Sequence, residues 1–141
     1  MCGGLDKRKN VDCSSWDKSR RRGMKVYISG PVTGNKEYKE QFGSMSYLLK
    51  REGHGAVNPV QIMEPVRGVL DYKTILQADL ELLEGCDGIL MMPGWEESQG
   101  AQKEYDKALR LGLKMFYADT ISKLPDDLIK QEESNVVYKR D

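Results

Sequence analysis

Histidine is almost missing from this chain: His54 is the one imidazole in 141 residues. Any catalytic triad or dyad built on histidine would have to run through it, and Arg51-Glu52-Gly53-His54-Gly55 has the composition of a surface turn. The three cysteines, Cys2, Cys13 and Cys86, are odd in number and unrelated in spacing. They do not suggest a disulfide framework, and with a lone histidine they offer no set of metal ligands, so no metal and no cofactor is expected. Long apolar runs are lacking too. Mean hydropathy is −0.61, and no stretch approaches the roughly 18 residues of a membrane-crossing helix. With no apolar leader-like segment near Met1, the expected setting is a reducing, cytoplasmic one without a membrane partner. A net charge is absent as well: 22 basic residues balance 22 acidic ones, which leaves no strong case for a nucleic-acid partner drawn by overall charge.

The charge that is present is unevenly spread. Residues 1–23 hold seven Lys/Arg against three Asp/Glu, a balance of +4, which leaves fifteen against nineteen, or −4, for residues 24–141. The first segment is rich in Gly, Ser and charge and shows no helical or strand periodicity, so it reads as a mobile basic tail before a single domain over 24–141. Order is expected from Met24 to Ser29, a β-rich run halted by Gly30-Pro31. Asn35 can then cap a helix carrying Tyr38, Phe42, Met45, Leu48 and Leu49 on one face, ended by Gly53.

Ala56-Val57-Asn58 predicts a short second strand, and residues 60–70, with Pro65 and Gly68, predict a loop. Asp71 predicts the cap of a helix to about Glu84 with Gly85 as its stop. Gly88 to Met92 is the near-continuous apolar run of a buried parallel strand. A helix from about Gln99 to Leu111 and a strand Lys114–Tyr117 follow. Beyond them, Pro125–Glu133 can form a helix and Asn135–Tyr138 an edge strand. Strands alternating with helices in this way predict an α/β fold, a flavodoxin- or Rossmann-like three-layer sandwich with a parallel sheet of four to five strands in the order 2-1-3-4(-5). Ligands of such sheets bind beyond the carboxyl ends of the strands at the switch point, here between the first and third strands.

Two carboxylates stand out on apolar helix faces. At about 100° per residue, Asp79 falls among Tyr72, Ile75, Leu76, Leu82 and Leu83, and Glu104 lies toward the side marked by Ala101, Tyr105 and Ala108. An acid facing a core is hydrogen-bonded, protonated or open to a polar cavity, and two of them flanking one strand point to a shared cleft. Burial should push Asp79 toward its neutral form, and the helix N-terminus should keep Glu104 ionised, dividing acid and nucleophile roles. The loop Ser29-Gly30-Pro31-Val32-Thr33-Gly34 offers close backbone approach and hydroxyls for a phosphate or sugar, although neither GxxxxGK[ST] nor GxGxxG is present. In Pro93-Gly94-Trp95-Glu96-Glu97-Ser98-Gln99-Gly100, the indole of Trp95 can either stack on a flat base or pack as a lid on the protein.

Tyr27-Ile28-Ser29-Gly30-Pro31, Ala78-Asp79-Leu80 ahead of Cys86-Asp87-Gly88, and Pro93-Gly94-Trp95 through Ser98, Gly100, Ala101 and Glu104 together resemble the nucleoside 2-deoxyribosyltransferase-like superfamily, in particular its small DUF4406 branch. The resemblance covers residues 24 to about 117. It implies that Glu104 is the nucleophile on the anomeric carbon and that Asp79 assists the leaving base. Tyr27, Ser29, Gly30, Pro31, Thr33, Gly34, Trp95, Ser98 and Gly100 would then line the substrate, a nucleoside or nucleotide. It also implies a homodimer. Nucleotide-hydrolysing members place an arginine in the first loop, where this chain reads Pro31-Val32-Thr33-Gly34, with Arg67 a candidate substitute. The alternative function on the same fold is a non-catalytic nucleotide-binding module.

Overall fold

The computed structural model describes residues 23–129. All but Gly23 of the tail expected over residues 1–23, and the edge strand expected at Asn135–Tyr138, lie outside them. Four strands, β1 (Lys25–Ser29), β2 (Gly55–Val57), β3 (Gly88–Met91) and β4 (Lys114–Tyr117), form an all-parallel sheet in the order β2-β1-β3-β4. Four helices connect and cover it: α1 (Tyr38–Arg51), α2 (Pro59–Met63), α3 (Tyr72–Leu83) and α4 (Gln99–Leu111). This is the expected α/β sandwich with its expected strand order. None of the described helices is long and apolar enough to cross a membrane.

Strand alternation divides the core in two, because successive side chains of a strand point to opposite faces of the sheet. Val26, Ile28, Leu90, Met92 and Phe116 pack with Phe42, Met45 and Leu49 of α1. Tyr27, Ile89 and Met91 pack with Leu83 of α3 and Ala101 and Ala108 of α4. Every residue of β3 is buried, as a central parallel strand covered on both sides requires. The two-residue period also puts the hydroxyls of Tyr27 and Ser29 on one face of β1. That is the face α4 covers.

Local chemistry accounts for most of the boundaries. Asp71 caps α3 by accepting from Thr74 N–H at 2.8 Å, and Ser98 caps α4 by accepting from Ala101 N–H at 3.2 Å. Asn35 departs from its expected role. No side chain caps α1, and Asn35 instead donates to the Pro31 carbonyl at 3.0 Å and to Gln41 Oε1 at 2.9 Å, tying the first loop to the helix. The loop expected over 60–70 is in part helical: Asn58 accepts from Gln61 N–H and Pro59 occupies the first turn of α2, after which Glu64–Val66 makes a single 3₁₀ turn. An asparagine followed by proline is a start signal, since the missing proline N–H has no intrahelical partner to lose. Of the helix expected over Pro125–Glu133, the described part holds a 3₁₀ turn at Asp126–Leu128, with Leu128 buried in the α1-side core.

His54 is a half-buried strut and not an exposed turn residue. Its Nδ1 accepts from Met24 N–H at 3.1 Å, so Nε2 carries the proton and donates to the Leu128 carbonyl at 2.7 Å. Beside it, Asp87 Oδ2 accepts from Lys25 N–H at 2.9 Å. These bonds close the end of the sheet where the strands begin.

Candidate active site

At the opposite end, the loops after β1 and β3 open on a cleft of about 730 Å³ walled by the β2–α3 connection, α3 and the start of α4. Its lining includes Gly30, Pro31, Thr33 and Gly34 from the first loop, Ser98 at the cap of α4, and Gly100 and Glu104 of α4 itself. Phe42, Val60, Leu70, Ile75 and Leu76 supply apolar wall, and Asp79 supplies a carboxyl group. Apolar walls with a few converging polar groups are the usual make-up of a small-molecule site.

Two glycines sit in close contact with side chains. A Cβ at Gly30 would lie 2.6 Å from Met92 Cε and 3.0 Å from Met92 Cβ, so a side chain there would force the Met92 side chain to shift. A Cβ at Gly100 would lie 3.2 Å from the Tyr72 hydroxyl, which hangs over the start of α4.

Glu104 is 6% exposed. Its Oε2 accepts from the Tyr27 hydroxyl at 2.7 Å and its Oε1 from the Ser29 hydroxyl at 2.5 Å. Both donors reach up from β1, so the carboxylate is gripped at each oxygen and its orientation is set by the sheet. Burial raises the Glu104 pKa to about 8, with the charge of Asp79 adding to the rise and the two hydroxyls opposing it. The expectation of a carboxylate kept ionised by the helix is therefore corrected. Glu104 is the sixth residue of α4, beyond the first turn within which the macrodipole acts, and desolvation prevails. Burial also lifts the Tyr27 phenol well above its ordinary value, with Glu104 and Asp79 contributing, and so keeps it a donor.

Asp79 is partly buried on α3, and burial raises its pKa to about 7 against the lowering effect of Arg67. Its Oδ1 is out of reach of water and has no hydrogen-bond partner. Asp79 and Glu104 are thus two carboxyl groups of the cleft that are both biased toward the neutral acid. Within this range of pH the pair retains protons that isolated carboxyls would have released.

The other residues named from sequence divide into groups. Gly30, Pro31, Thr33, Gly34, Ser98 and Gly100 line the cleft. Tyr27 and Ser29 are fully buried beneath it, where they touch Glu104 and not the open space. Trp95 is outside the lining: it stacks on Tyr105 with ring centroids 4.5 Å apart and packs on the α4-side core, as a lid on the protein would. Tyr72 went unnoticed as a site residue because an apolar-face tyrosine reads as core. Its place at the helix start, one turn from Ile75 and Leu76, was the available signal. Among the described residues, no three His, Cys, Asp or Glu side chains come together as metal ligands would.

The sequence matches the family model described as a domain of unknown function, DUF4406, over residues 24–117. None of the curated proteins compared with it matches. Among solved structures, a 2-desoxiribosyltransferase from Leishmania mexicana is similar, with a TM-score of 0.52 at 18% identity over 66% of this chain and 62% of that one. This chain spans about three fifths of that protein's length, and the likeness is one of fold.

Proposed function

The chain belongs to the DUF4406 family, and from that premise and the chemistry of the cleft we propose that it breaks or exchanges the N-glycosidic bond of a nucleoside or nucleotide. The observation that carries this reading is the grip on Glu104: a buried carboxyl held at both oxygens by Tyr27 and Ser29, at the wall of a cleft shared with a second acid. Pure binding does not call for an oriented carboxylate. Attack on an anomeric carbon does, because the nucleophilic oxygen must be aligned with the bond that breaks.

In the first step a carboxylate oxygen of Glu104 forms a bond to the anomeric carbon as the bond to the base nitrogen breaks. Asp79, as the neutral acid, gives its proton to the departing base. In the second step water, or the nitrogen of another base, attacks the same carbon. The glycosyl ester breaks, Glu104 regains its carboxylate, and Asp79 takes back a proton. Paired carboxyl groups perform the same two-step exchange in retaining glycosidases. The productive state carries one negative charge, on Glu104, with the proton on Asp79; with Asp79 at about 7 and Glu104 at about 8 it is the less populated of the two singly ionised forms.

The test is incubation of the protein with a panel of nucleosides and their 5′-monophosphates, with free base followed by chromatography. Release of base that stops in Glu104→Ala supports the reading. A wild-type protein inert across the panel, yet binding its members, moves the assignment to a nucleotide-binding module.

A further inference from the structure

Among the described residues, the aromatic side chains in the cleft lining are Phe42 and Tyr72. Phe42 is 1% exposed and belongs to the core on the α1 side, whereas Tyr72 is 54% exposed. Tyr72 is therefore the aromatic side chain of the lining whose ring is left open. Leu70, 39% exposed, stands two residues before it in the same lining. A half-open tyrosine gives up much of the burial by which an aromatic ring otherwise contributes to stability, and exposed apolar groups at the mouth of a cavity mark a place where a ligand binds. Trp95, the ring that the sequence offers for stacking, is outside the lining and already stacked on Tyr105.

The ring is held where it can meet a substrate. Tyr72 opens α3, and its backbone is fixed on both sides: Leu70 N–H donates to the Val66 carbonyl at 2.9 Å, Thr74 N–H to the Asp71 side chain at 2.8 Å and Ile75 N–H to the Asp71 carbonyl at 3.1 Å. Toward α4, the hydroxyl reaches to 3.2 Å from the point that a Cβ on Gly100 would occupy, so the side chain spans the space between the starts of the two helices. Residues three or four apart share a helix face. Tyr72, Leu76 and Asp79 accordingly follow one another down one stripe of α3, and Gly100 and Glu104 down one stripe of α4, and all five line the cleft. Along α3 the tyrosine stands about 10 Å before Asp79, and along α4 its neighbour Gly100 stands about 6 Å before Glu104. A nucleoside covers such lengths.

We propose that Tyr72 is the platform on which the base of the substrate stacks, and that it favours purines over pyrimidines. The inference rests on the reading of Asp79 as the acid that serves the leaving base: Tyr72 shares the stripe of Asp79 on α3 and so stands on the base side of the scissile bond, with Glu104 on the other helix. Leu70, Ile75 and Leu76 add apolar wall to the same part of the cleft, which suits the flat faces of a base better than the hydroxyls of a sugar. A tyrosine ring fits this task, because it offers a rigid face with few rotatable bonds to freeze. Stacking depends on overlapping π surface and accepts any base. The two fused rings of a purine offer more of that surface than the single ring of a pyrimidine, so discrimination at this position follows the size of the ring system.

Free bases test this apart from turnover. Ligand-observed NMR titration of the whole protein with adenine and with cytosine gives the affinity for each. Adenine should bind more tightly than cytosine, and Tyr72→Ala should weaken adenine about tenfold or more. Tyr72→Phe keeps the ring and should keep the wild-type affinity, whereas Tyr72→Leu, apolar but without a π face, should lose it. Should Tyr72→Ala fail to fold, the comparison of the Phe and Leu variants supplies the loss to be read. No binding of either base at millimolar concentration, adenine held no better than cytosine, unchanged affinity in the Ala or Leu variant, or a Phe variant as weak as Leu would each overturn the proposal. Base release separates the two readings. Its absence from every nucleoside, with adenine binding that depends on Tyr72, counts against the glycosidic reading alone and leaves the platform supported. Release from 2′-deoxyadenosine with the same KM in Tyr72→Leu as in wild type overturns the platform and leaves the glycosidic reading standing.

Discussion

The two ends of the sheet treat their polar groups in opposite ways. Where the strands begin, His54 uses both ring nitrogens, on Met24 N–H and the Leu128 carbonyl, and Asp87 ties down Lys25 N–H. Where they end, Glu104 is bonded but desolvated, and Asp79 Oδ1 and Arg67 Nε have no partner. The first end contributes stability through satisfied hydrogen bonds. The second holds carboxyl groups whose burial is only partly compensated and whose pKa values rise in consequence, a pattern that clusters at functional sites.

Substitutions at the two ends should accordingly separate activity from stability. The largest expected effect is at Glu104. Glu104→Ala should lower base release by three orders of magnitude or more, roughly the scale of losing a nucleophile, while circular dichroism still shows a folded protein. Residual turnover near wild type would remove the nucleophile from the mechanism. Asp79→Asn should lower kcat by about 100-fold on ordinary bases, and markedly less on substrates whose leaving group needs no proton. Equal losses on both kinds of substrate would contradict an acid role.

The same pair sets the pH profile of base release. Activity should rise as Glu104, with its pKa of about 8, ionises and fall as Asp79, at about 7, loses its proton. The two limbs cross, so the profile is bell-shaped, with its maximum between those values and only a minority of molecules in the active protonation state. A plateau from pH 5 to pH 9 (roughly the span that two such limbs must bracket) would show that the pair does not act together.

At the other end, His54→Ala should cost about 1–3 kcal/mol of stability, because Met24 N–H and the Leu128 carbonyl lose their partner. Its kcat/KM, measured well below the melting temperature, should match wild type. A loss of activity without loss of stability would undo the contrast between the ends. A stability effect at the site end concerns Glu104→Gln. The folded protein keeps a proton on Glu104 from its ordinary value of 4.5 up to about 8, whereas the unfolded chain releases it, so folding stability falls as pH rises through that window and levels off above it. Thermal melts should show the Gln variant more stable than wild type at pH 9, by several kcal/mol, with the gap closing toward pH 4.

Much of the fold was legible because its signals are local. Val26 to Ser29 and Gly88 to Met91 read as strands from their apolar and β-branched content, and Asp71 and Ser98 begin α3 and α4 as caps. Asn35 and the segment 59–66 were less legible. The side chain of Asn35 chooses between a cap and a loop tie according to where Pro31 and Gln41 lie, and the proline pair Pro59 and Pro65 reads equally well as loop. The cleft was legible in kind, since a carboxyl group on an apolar face violates its own pattern, and Asp79 and Glu104 both did so. Trp95 was not, because an indole near a strand end has the same sequence signature whether it faces a ligand or, as here, Tyr105.

Helical and strand periods, caps and glycine stops are properties of neighbouring residues, and by themselves they determined the element order and the parallel α/β architecture. The electrostatic state of the site was decided only by tertiary structure. Tyr27 and Ser29 are 77 and 75 residues away from Glu104 in the chain, and their hydroxyls meet its carboxyl group only once β1 lies beneath α4. Position near a helix N-terminus argued for an ionised Glu104, but the degree of desolvation depends on everything packed around a group, and that packing raises its pKa to about 8.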